Sequence, residues 1–225
     1  DAGFEPDGDA GFSDMTLREL AYGGSLEKRE VQRHLTAITR NGLSLSVRAL
    51  DHFDFLAKRS TFFDYGCGRG DDVKALAAKG VKATGFDPHY APDVAKTKAD
   101  AVNLGYVLNV IENKAERAKA LKDAWALASR VLAVAVRTGE DSPDGDPHGD
   151  GVVTSTGTFQ KFYAPDELAK FVAKTLGVAA TNVVQVAAGV VLVLRHDKDA
   201  EAVSKAQESS VFKAMQDEAD CEVKS

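Results

Sequence analysis

The sequence predicts an α/β domain with a mostly parallel sheet that ends in an antiparallel hairpin. Three observations carry this expectation. Short apolar runs at 60–65, 81–86, 100–104 and 130–136 alternate with segments of helical period, and strands separated by helices pair in parallel. A glycine-rich run lies between the first of these strands and the helix after it. Near the C-terminus, residues 181–186 and 190–195 flank Ala187-Ala188-Gly189, a hairpin signal.

Taken in order, residues 1–25 are rich in Gly and Asp and are expected to form a flexible acidic leader. Residues 26–40 place Leu26, Val31, Leu35 and Ile38 near one helical face, and Asn41-Gly42 is a stop signal. Ser44 stands where it would cap a second helix running to about Lys58, with Leu45, Val47, Leu50, Phe53, Phe55 and Leu56 as its apolar side. After strand 60–65 and the glycine loop comes a helix over 71–79, closed by Gly80. Strand 81–86 stops at Asp87-Pro88. A helix over about 115–129 follows the third run, and the composition of 130–136 (RVLAVAV) is that of a strand buried on both faces.

Residues 137–158 read as a long loop with five acids, and Pro165 as the first residue of a helix that ends at Leu176. Residues 197–225 are charged and lack turn residues, as in a tail or terminal helix. The domain is therefore expected over 26–196, its N-terminal helices at 26–58 included.

The 225 residues suffice for one domain with a real core, and 44% hydrophobic against 28% charged residues is a globular composition. No apolar run reaches the roughly 18 residues of a membrane span. No stretch has the pattern of a secretory signal, and the chain opens on Asp1 rather than Met, so the natural start is left open. The two cysteines, Cys67 and Cys221, lie in a glycine loop and a polar tail. They form neither a disulfide framework nor a zinc site, and a reducing cytoplasm is the expected location. Residues 1–20 carry −5 and residues 196–225 carry −4 of a total of −6, which leaves about +3 for the part between. DNA is thus a possible partner that the overall charge does not support.

The run FFDYGCGRGDD (62–72) is the chemically informative segment. Asp64 stands near a strand end, where a carboxylate reaches the crevice at the switch point of a parallel sheet. Gly66, Gly68 and Gly70 remove side chains so that backbone N–H groups can approach a ligand, and the next helix points its positive end into the same crevice. A dinucleotide site would read G-x-G-x-x-G. This loop is G-x-G-x-G, with Asp64 before it and Asp71-Asp72 after it. Carboxylates there repel a pyrophosphate and suit a cationic ligand such as an ammonium or sulfonium. Asp87, 17 residues beyond Gly70, is placed to bind a ribose diol or to cap its own turn. Cys67 reads as a small residue of the ligand loop rather than a nucleophile.

With these residues in view, the sequence resembles the class I S-adenosylmethionine (SAM)-dependent methyltransferases over about residues 44–195. FDYGCGRGDD is similar to that family's first motif, GFDP to its second, ADAVNLGYVLNVIEN (Ala99 to Asn113) to the segment after the fourth strand, and TFQKFYAPDEL (Thr158 to Leu168) to the loop before a late helix. The resemblance implies a Rossmann-like sheet with a reversed last strand, N-terminal helices over the cofactor, SAM as cofactor and S-adenosylhomocysteine as product. It assigns cofactor binding to Asp64, Gly66, Cys67, Gly68, Gly70, Asp71, Asp87, Pro88, Asn103, Leu104 and Gly105. More narrowly, GRGDDV, NLGYVLNVIE, GTFQKFY and HLTAITR resemble proteins encoded with DNA phosphorothioation genes and assigned as methyltransferases.

One departure is clear. Only 12 residues, Pro88 and Pro92 among them, lie between Asp87 and Asp100, where the family usually has a third strand and helix. The sheet is expected to lack them. The adenine pocket is then built differently, with Pro88, His89, Tyr90 and Asn103 to Tyr106 as candidates.

Methyl transfer from a sulfonium needs alignment and at times a base. Tyr106, Asn109 and Tyr163 are the catalytic candidates. Tyr106 would orient or deprotonate an acceptor or be a packed aromatic, and Asn109 would face the acceptor or cap a helix. Gln160, Lys161 and Tyr163 would line the entrance or pack as a lid. His34 and Arg40 lie on the first helix. The loop DGDPHGDG (Asp144 to Gly151) departs from the calcium pattern, so a solvated mobile loop is expected and no metal site is assigned. No N/D-P-P-[YFW] motif follows the fourth strand and no Pro-Cys nucleophile is present, which speaks against common base methylation of DNA. The acceptor is open: a small molecule or a nucleic-acid-related group. Intramolecular displacement on SAM, or a non-catalytic SAM-binding accessory of a DNA-modification system, are the alternatives.

Overall fold

The computed structural model describes residues 33–36, 42–139 and 145–207; the acidic leader and the last 18 residues lie outside them. A 3-10 turn at Arg33–Thr36 is followed by α1 (Leu45–His52), β1 (Thr61–Tyr65), α2 (Asp71–Ala78), β2 (Lys82–Phe86) and β3 (Ala99–Gly105). Then come α3 (Lys114–Leu127), β4 (Ala128–Ala135), β5 (Gly145–His148), β6 (Gly151–Thr154) and β7 (Phe159–Gln160). The described part closes with α4 (Glu167–Leu176), a 3-10 turn at Ala180–Asn182, β8 (Val183–Ala187), β9 (Val190–Leu194) and α5 (Asp197–Gln207).

The main sheet has the order β2-β1-β3-β4-β9-β8. The first four strands are parallel, and β9 runs antiparallel to both β4 and β8. The period of two in each strand divides the core between two faces. Phe62, Ala101, Val131 and Leu192 point toward Val47 and Leu50 of α1, Leu76 of α2 and Val203 of α5. Phe63, Val102, Leu132 and Val191 point toward Leu121 and Ala124 of α3 and Leu168 and Val172 of α4. Each such buried Leu or Phe contributes about 1.5–3 kcal/mol. The expected absence of a third strand and helix is observed: residues 92–98 are exposed and hold neither, and β2 is the sheet edge. Lys96 tacks this connection down, its ammonium lying 4.2 Å from the Phe86 ring and 4.8 Å from the Tyr65 ring.

Four local expectations need correction. Helix α1 ends at His52 rather than near Lys58. Asp54 turns the chain with φ 58°, which brings Phe55 and Leu56 back into the core, so their apolarity serves a turn and not a helix face. Helix α4 starts two residues after Pro165; the Glu167 carboxylate accepts from Ala164 N at 2.9 Å and starts the helix in the manner of a capping box. The 137–158 segment is not one long loop. Residues 145–160 fold into a second, antiparallel sheet, β5-β6-β7. Residues 145–151 of the DGDPHGDG segment belong to a hairpin: Asp150 beside its turn pairs with the buried Arg117 guanidinium at 2.8 and 3.1 Å.

Candidate functional site at the carboxyl ends of the strands

The order β2-β1-β3 makes the gap between β1 and β3 the switch point, because successive strands leave β1 in opposite directions. Asp64 and Asn103 face each other across that gap as register partners. Both are buried, at 3% and 2% exposure, and Asn103 Nδ2 donates to Asp64 Oδ1 at 2.9 Å. The amide is thereby oriented, and its Oδ1 is left buried with no hydrogen-bond partner. A buried acceptor without a donor costs about 1–3 kcal/mol unless a ligand or water supplies one. Above it, a Cβ on Gly105 would come within 2.9 Å of Asn103 Nδ2 and 3.3 Å of Ser46 Oγ, so Gly105 leaves room for this polar nook.

The glycine loop turns sharply over the end of β1. Gly66, Gly68 and Gly70 adopt φ of 92°, 51° and 77°, the left-handed region that side chains resist. Gly66 is further obliged by its neighbour: a Cβ there would lie 2.3 Å from Val107 Cγ2. The Gly66 and Cys67 amides donate to Phe86 O, and Gly70 closes the turn onto Cys67 O. Asp71 stands in the first turn of α2, 3.8 Å from Lys74. Asp72 is buried and accepts from Ser44 N at 2.7 Å, which ties the start of α1 to the start of α2. Ser44, which makes no side-chain cap bond, serves through this backbone contact instead.

Asp87 organises its own turn. Its Oδ1 accepts from the His89 and Tyr90 amides at 2.9 and 3.0 Å, and its Oδ2 accepts from Gly68 N at 3.1 Å. A carboxylate offers about four acceptor sites. Three are used, and one on Oδ2 remains. Burial, then the charges of Asp64 and Asp87, push the Cys67 thiol up to about 12, so it is a neutral wall residue at ordinary pH. Pro88 is exposed beside this turn.

Asp64, Gly66, Cys67, Gly68, Gly70, Asp87, Asn103 and Gly105 stand at or just after the carboxyl ends of β1, β2 and β3, linked by the Asn103–Asp64 and Gly68–Asp87 hydrogen bonds. Leu104 is fully buried on the opposite face of the sheet. Tyr106 follows β3 with φ 59°, its amide donating to Ala135 O at 2.7 Å, and it packs half-buried against the α1 face. Tyr163 belongs to the other face and is 1% exposed. Burial raises its hydroxyl well above the usual range beside the Arg117 guanidinium. Asn109, also 1% exposed, donates its side-chain amide to Gln160 Oε1 at 3.1 Å, and its main-chain carbonyl accepts from Lys161 N at 2.8 Å. Around them Arg117 and Lys161 are buried cations balanced by Asp150 and Glu167.

Arg117 escaped the sequence reading. The signal was present: a charge three and four residues before Ala120 and Leu121, on the apolar face of α3. Arg33 clamps Glu112 and Glu116 at 2.9 and 2.5 Å, which places the 3-10 turn beside the loop after β3. The side chain of His34, and Arg40 altogether, lie outside what is described. Among the described residues no group of His, Cys, Asp and Glu could hold a metal, and no helix is long and apolar enough to cross a membrane.

No protein-family model and no curated protein matches the chain. Solved structures do. A 1,6-didemethyltoxoflavin N1-methyltransferase from Burkholderia thailandensis, crystallised with bound 1,6-didemethyltoxoflavin and S-adenosylhomocysteine, superposes with a TM-score of 0.50 at 16% identity, covering 68% of this chain and 77% of that one. The chain has the Rossmann-like methyltransferase fold. A SAM-bound amino pentose methyltransferase from Micromonospora echinaspora matches with a TM-score of 0.47 at 16% identity over 85% of this chain and all (100%) of that one. A SAM-dependent methyltransferase from Clostridium acetobutylicum matches at 0.46 and 12% identity over 67% and 89%.

Proposed function

We propose that the chain is a SAM-dependent methyltransferase. The observation that carries this is the Asp64–Asn103 pair at the switch point, roofed by the glycine loop and flanked by Asp87. Asp64 supplies negative charge, and Asn103 Oδ1 is an oriented acceptor in want of a donor. The two match the ammonium of a methionine moiety. The free acceptor site on Asp87 Oδ2 matches a ribose hydroxyl. Gly66, Cys67, Gly68, Gly70 and Asp71 shape the loop; Leu104 and Gly105 contribute backbone, and Pro88 flanks the ribose end. The toxoflavin enzyme, alike in fold, was crystallised with S-adenosylhomocysteine, which supports the same cofactor here.

SAM, when bound, supplies an electrophilic methyl group on its sulfonium. The chain's own part is to hold and orient it, to exclude water and to present an acceptor. Tyr106 is the candidate for orienting or deprotonating that acceptor, being half-buried at the strand ends. Asn109 and Tyr163 are sealed and act by shaping the wall. The acceptor is a small molecule or a nucleic-acid-related group, and the likeness to phosphorothioation-associated proteins favours the latter context. The burial of two of the three catalytic candidates favours a second reading, in which the same cradle serves a SAM-consuming enzyme of another kind or a SAM-binding accessory protein.

Calorimetry with SAM, S-adenosylhomocysteine and NAD tests the cradle. The first two should bind at micromolar levels and NAD should not; absence of S-adenosylhomocysteine binding removes the proposal. Mass analysis of SAM breakdown, with and without cell extract, then separates transfer from the second reading. Tyr106→Phe should keep the affinity and slow SAM consumption.

A further inference from the structure

We propose that the amino edge of the main sheet, at the far end from the candidate site, is a docking surface for the phosphate backbone of a double-stranded nucleic acid. The inference stands apart from the choice of cofactor and rests on how charge divides between the two ends of the strands. The carboxyl ends carry Asp64, Asp71 and Asp87. At the amino ends, Lys58 and Arg59 lead into β1, Lys82 opens β2 as the register partner of Thr61, and Lys98 leads into β3. Arg130 lies near the start of β4. Strand β9 runs the other way, so Arg195, just past its end, reaches the same edge and donates its amide to Arg130 O. Five adjacent strands, β2-β1-β3-β4-β9, thus each bring a cation to one edge. Strands lie about 4.8 Å apart, so the row is about 19 Å long.

Most of these cations are uncommitted. Lys58, Arg59, Lys82 and Lys98 are exposed and, among the described residues, meet no carboxylate. Arg195 meets none either, yet it is held in place. Its guanidinium lies 3.5 Å from the Trp125 ring centroid and donates to Ala128 O and Trp125 O. The acids of this edge are mostly engaged. Asp199 holds Arg130, and Asp51 holds Lys79. Asp100 accepts from Thr61 N, Thr61 Oγ1 and Ser129 Oγ, and Asp197 accepts from Asn182 Nδ2. Asp54 is left exposed. The edge therefore keeps a positive excess in a chain whose total is −6. The shape of the row selects the partner. A free phosphate meets cations within a few ångströms, whereas a duplex strand offers a phosphate about every 3.4 Å of its axis and can follow the whole row. A single strand gains much of its affinity from open aromatic faces. Here Trp125 is covered by Arg195, and Phe55 is buried beneath Arg130. A lipid surface takes apolar anchors as well as charge, and Val94 is the one exposed large apolar residue among those described. Cations on a flat edge contact backbone and not base edges, so the binding is independent of sequence.

Fluorescence anisotropy of a labelled DNA duplex of about two helical turns, titrated with the full chain across a salt series, tests this. Wild type should bind with a Kd on the order of 10 μM near physiological salt, and log K should fall against log salt with a slope of about −3 to −4. Two double variants, Lys58→Gln with Arg59→Gln and Lys82→Gln with Lys98→Gln, should each weaken the duplex about tenfold and make the slope shallower by about 2. Lys114→Gln, exposed at the start of α3 and so at the carboxyl end of the sheet, should change neither. Circular dichroism melts confirm that each variant folds, and all should keep the wild-type affinity for S-adenosylhomocysteine. Absence of duplex binding by wild type, or unchanged binding in both double variants, would overturn the proposal while the SAM reading stands. A single strand, polyglutamate or phosphatidylserine vesicles bound as tightly as the duplex would overturn the duplex as the partner. Failure to bind S-adenosylhomocysteine, with duplex binding lost as expected in the variants, would remove the cofactor and support this surface.

Discussion

Asp64 and Gly66 show how differently two neighbours can depend on the fold. Asp64 is a buried carboxylate that accepts from the Asn103 amide on the neighbouring strand. Asp64→Asn keeps the shape and removes the charge. It should weaken S-adenosylhomocysteine by about 10–100-fold, the worth of a hydrogen bond to a charged group. Calorimetry checks the affinity and a thermal melt checks that the fold survives. Gly66 has a steric task. Gly66→Ala meets both the 92° φ and the Val107 methyl at 2.3 Å, and should cost about 2–4 kcal/mol in urea unfolding. Adding Val107→Ala should recover the clash but not the backbone strain, so a full recovery would refute the conformational part.

At the scale of elements, the β5–β6 hairpin is anchored to the domain by the Asp150 carboxylate, which faces Arg117 and Lys161. Its strands are exposed or half-exposed, and Asp150 beside its turn holds Arg117, which is buried and also donates twice to Ile111 O. Breaking such a pair strands a buried charge. Asp150→Ala should therefore destabilise the domain by about 2–4 kcal/mol by urea unfolding. Hydrogen exchange should quicken first over residues 145–154. A change confined to the hairpin, with global stability intact, would mean that Arg117 finds water when released.

Across the whole molecule, several carboxylates titrate low. The Arg117 hydrogen bonds hold Asp150 below its ordinary value, and those of Arg130 do the same for Asp199. Groups depressed in the folded state contribute stability above their unfolded value, and that stability is lost as pH falls through the folded one. The melting temperature should thus be steady from neutrality to about pH 5 and fall below about pH 4. The Cys67 thiol works in the other direction: raised from 9.0 to about 12, it contributes below pH 9 and the contribution is lost as pH rises toward 12. A melting series from pH 2 to 11 reads both limbs, and Cys67→Ser should flatten only the alkaline one.

Much of this architecture is carried by local chemistry, and so was open to reading from residues alone. The alternation of apolar runs with helical periods, the Ala188-Gly189 turn and the D-x-G-x-G-x-G run each act over a few residues, and the strands, the reversed hairpin and the left-handed glycines follow from them. The shortness of the Asp87–Asp100 link excluded a third strand by reach alone. Other features depend on groups far apart in the chain. The end of α1 at His52, the second sheet and the Asp150–Arg117 pair arise from contacts with distant partners, and a charge run looks solvated until a buried guanidinium faces it. The candidate site divides the same way. Sequence by itself determined that Asp64, three glycines and Asp87 stand at strand ends, because strand and turn propensities are local. Only the tertiary structure decided that Asn103 would orient beside Asp64, that Tyr106 and Tyr163 would face opposite sides of the sheet, and that Arg59, Lys82, Lys98 and Arg195 would share one edge. Each of these is set by which strands become neighbours, and neighbours are chosen by the packing of the whole core.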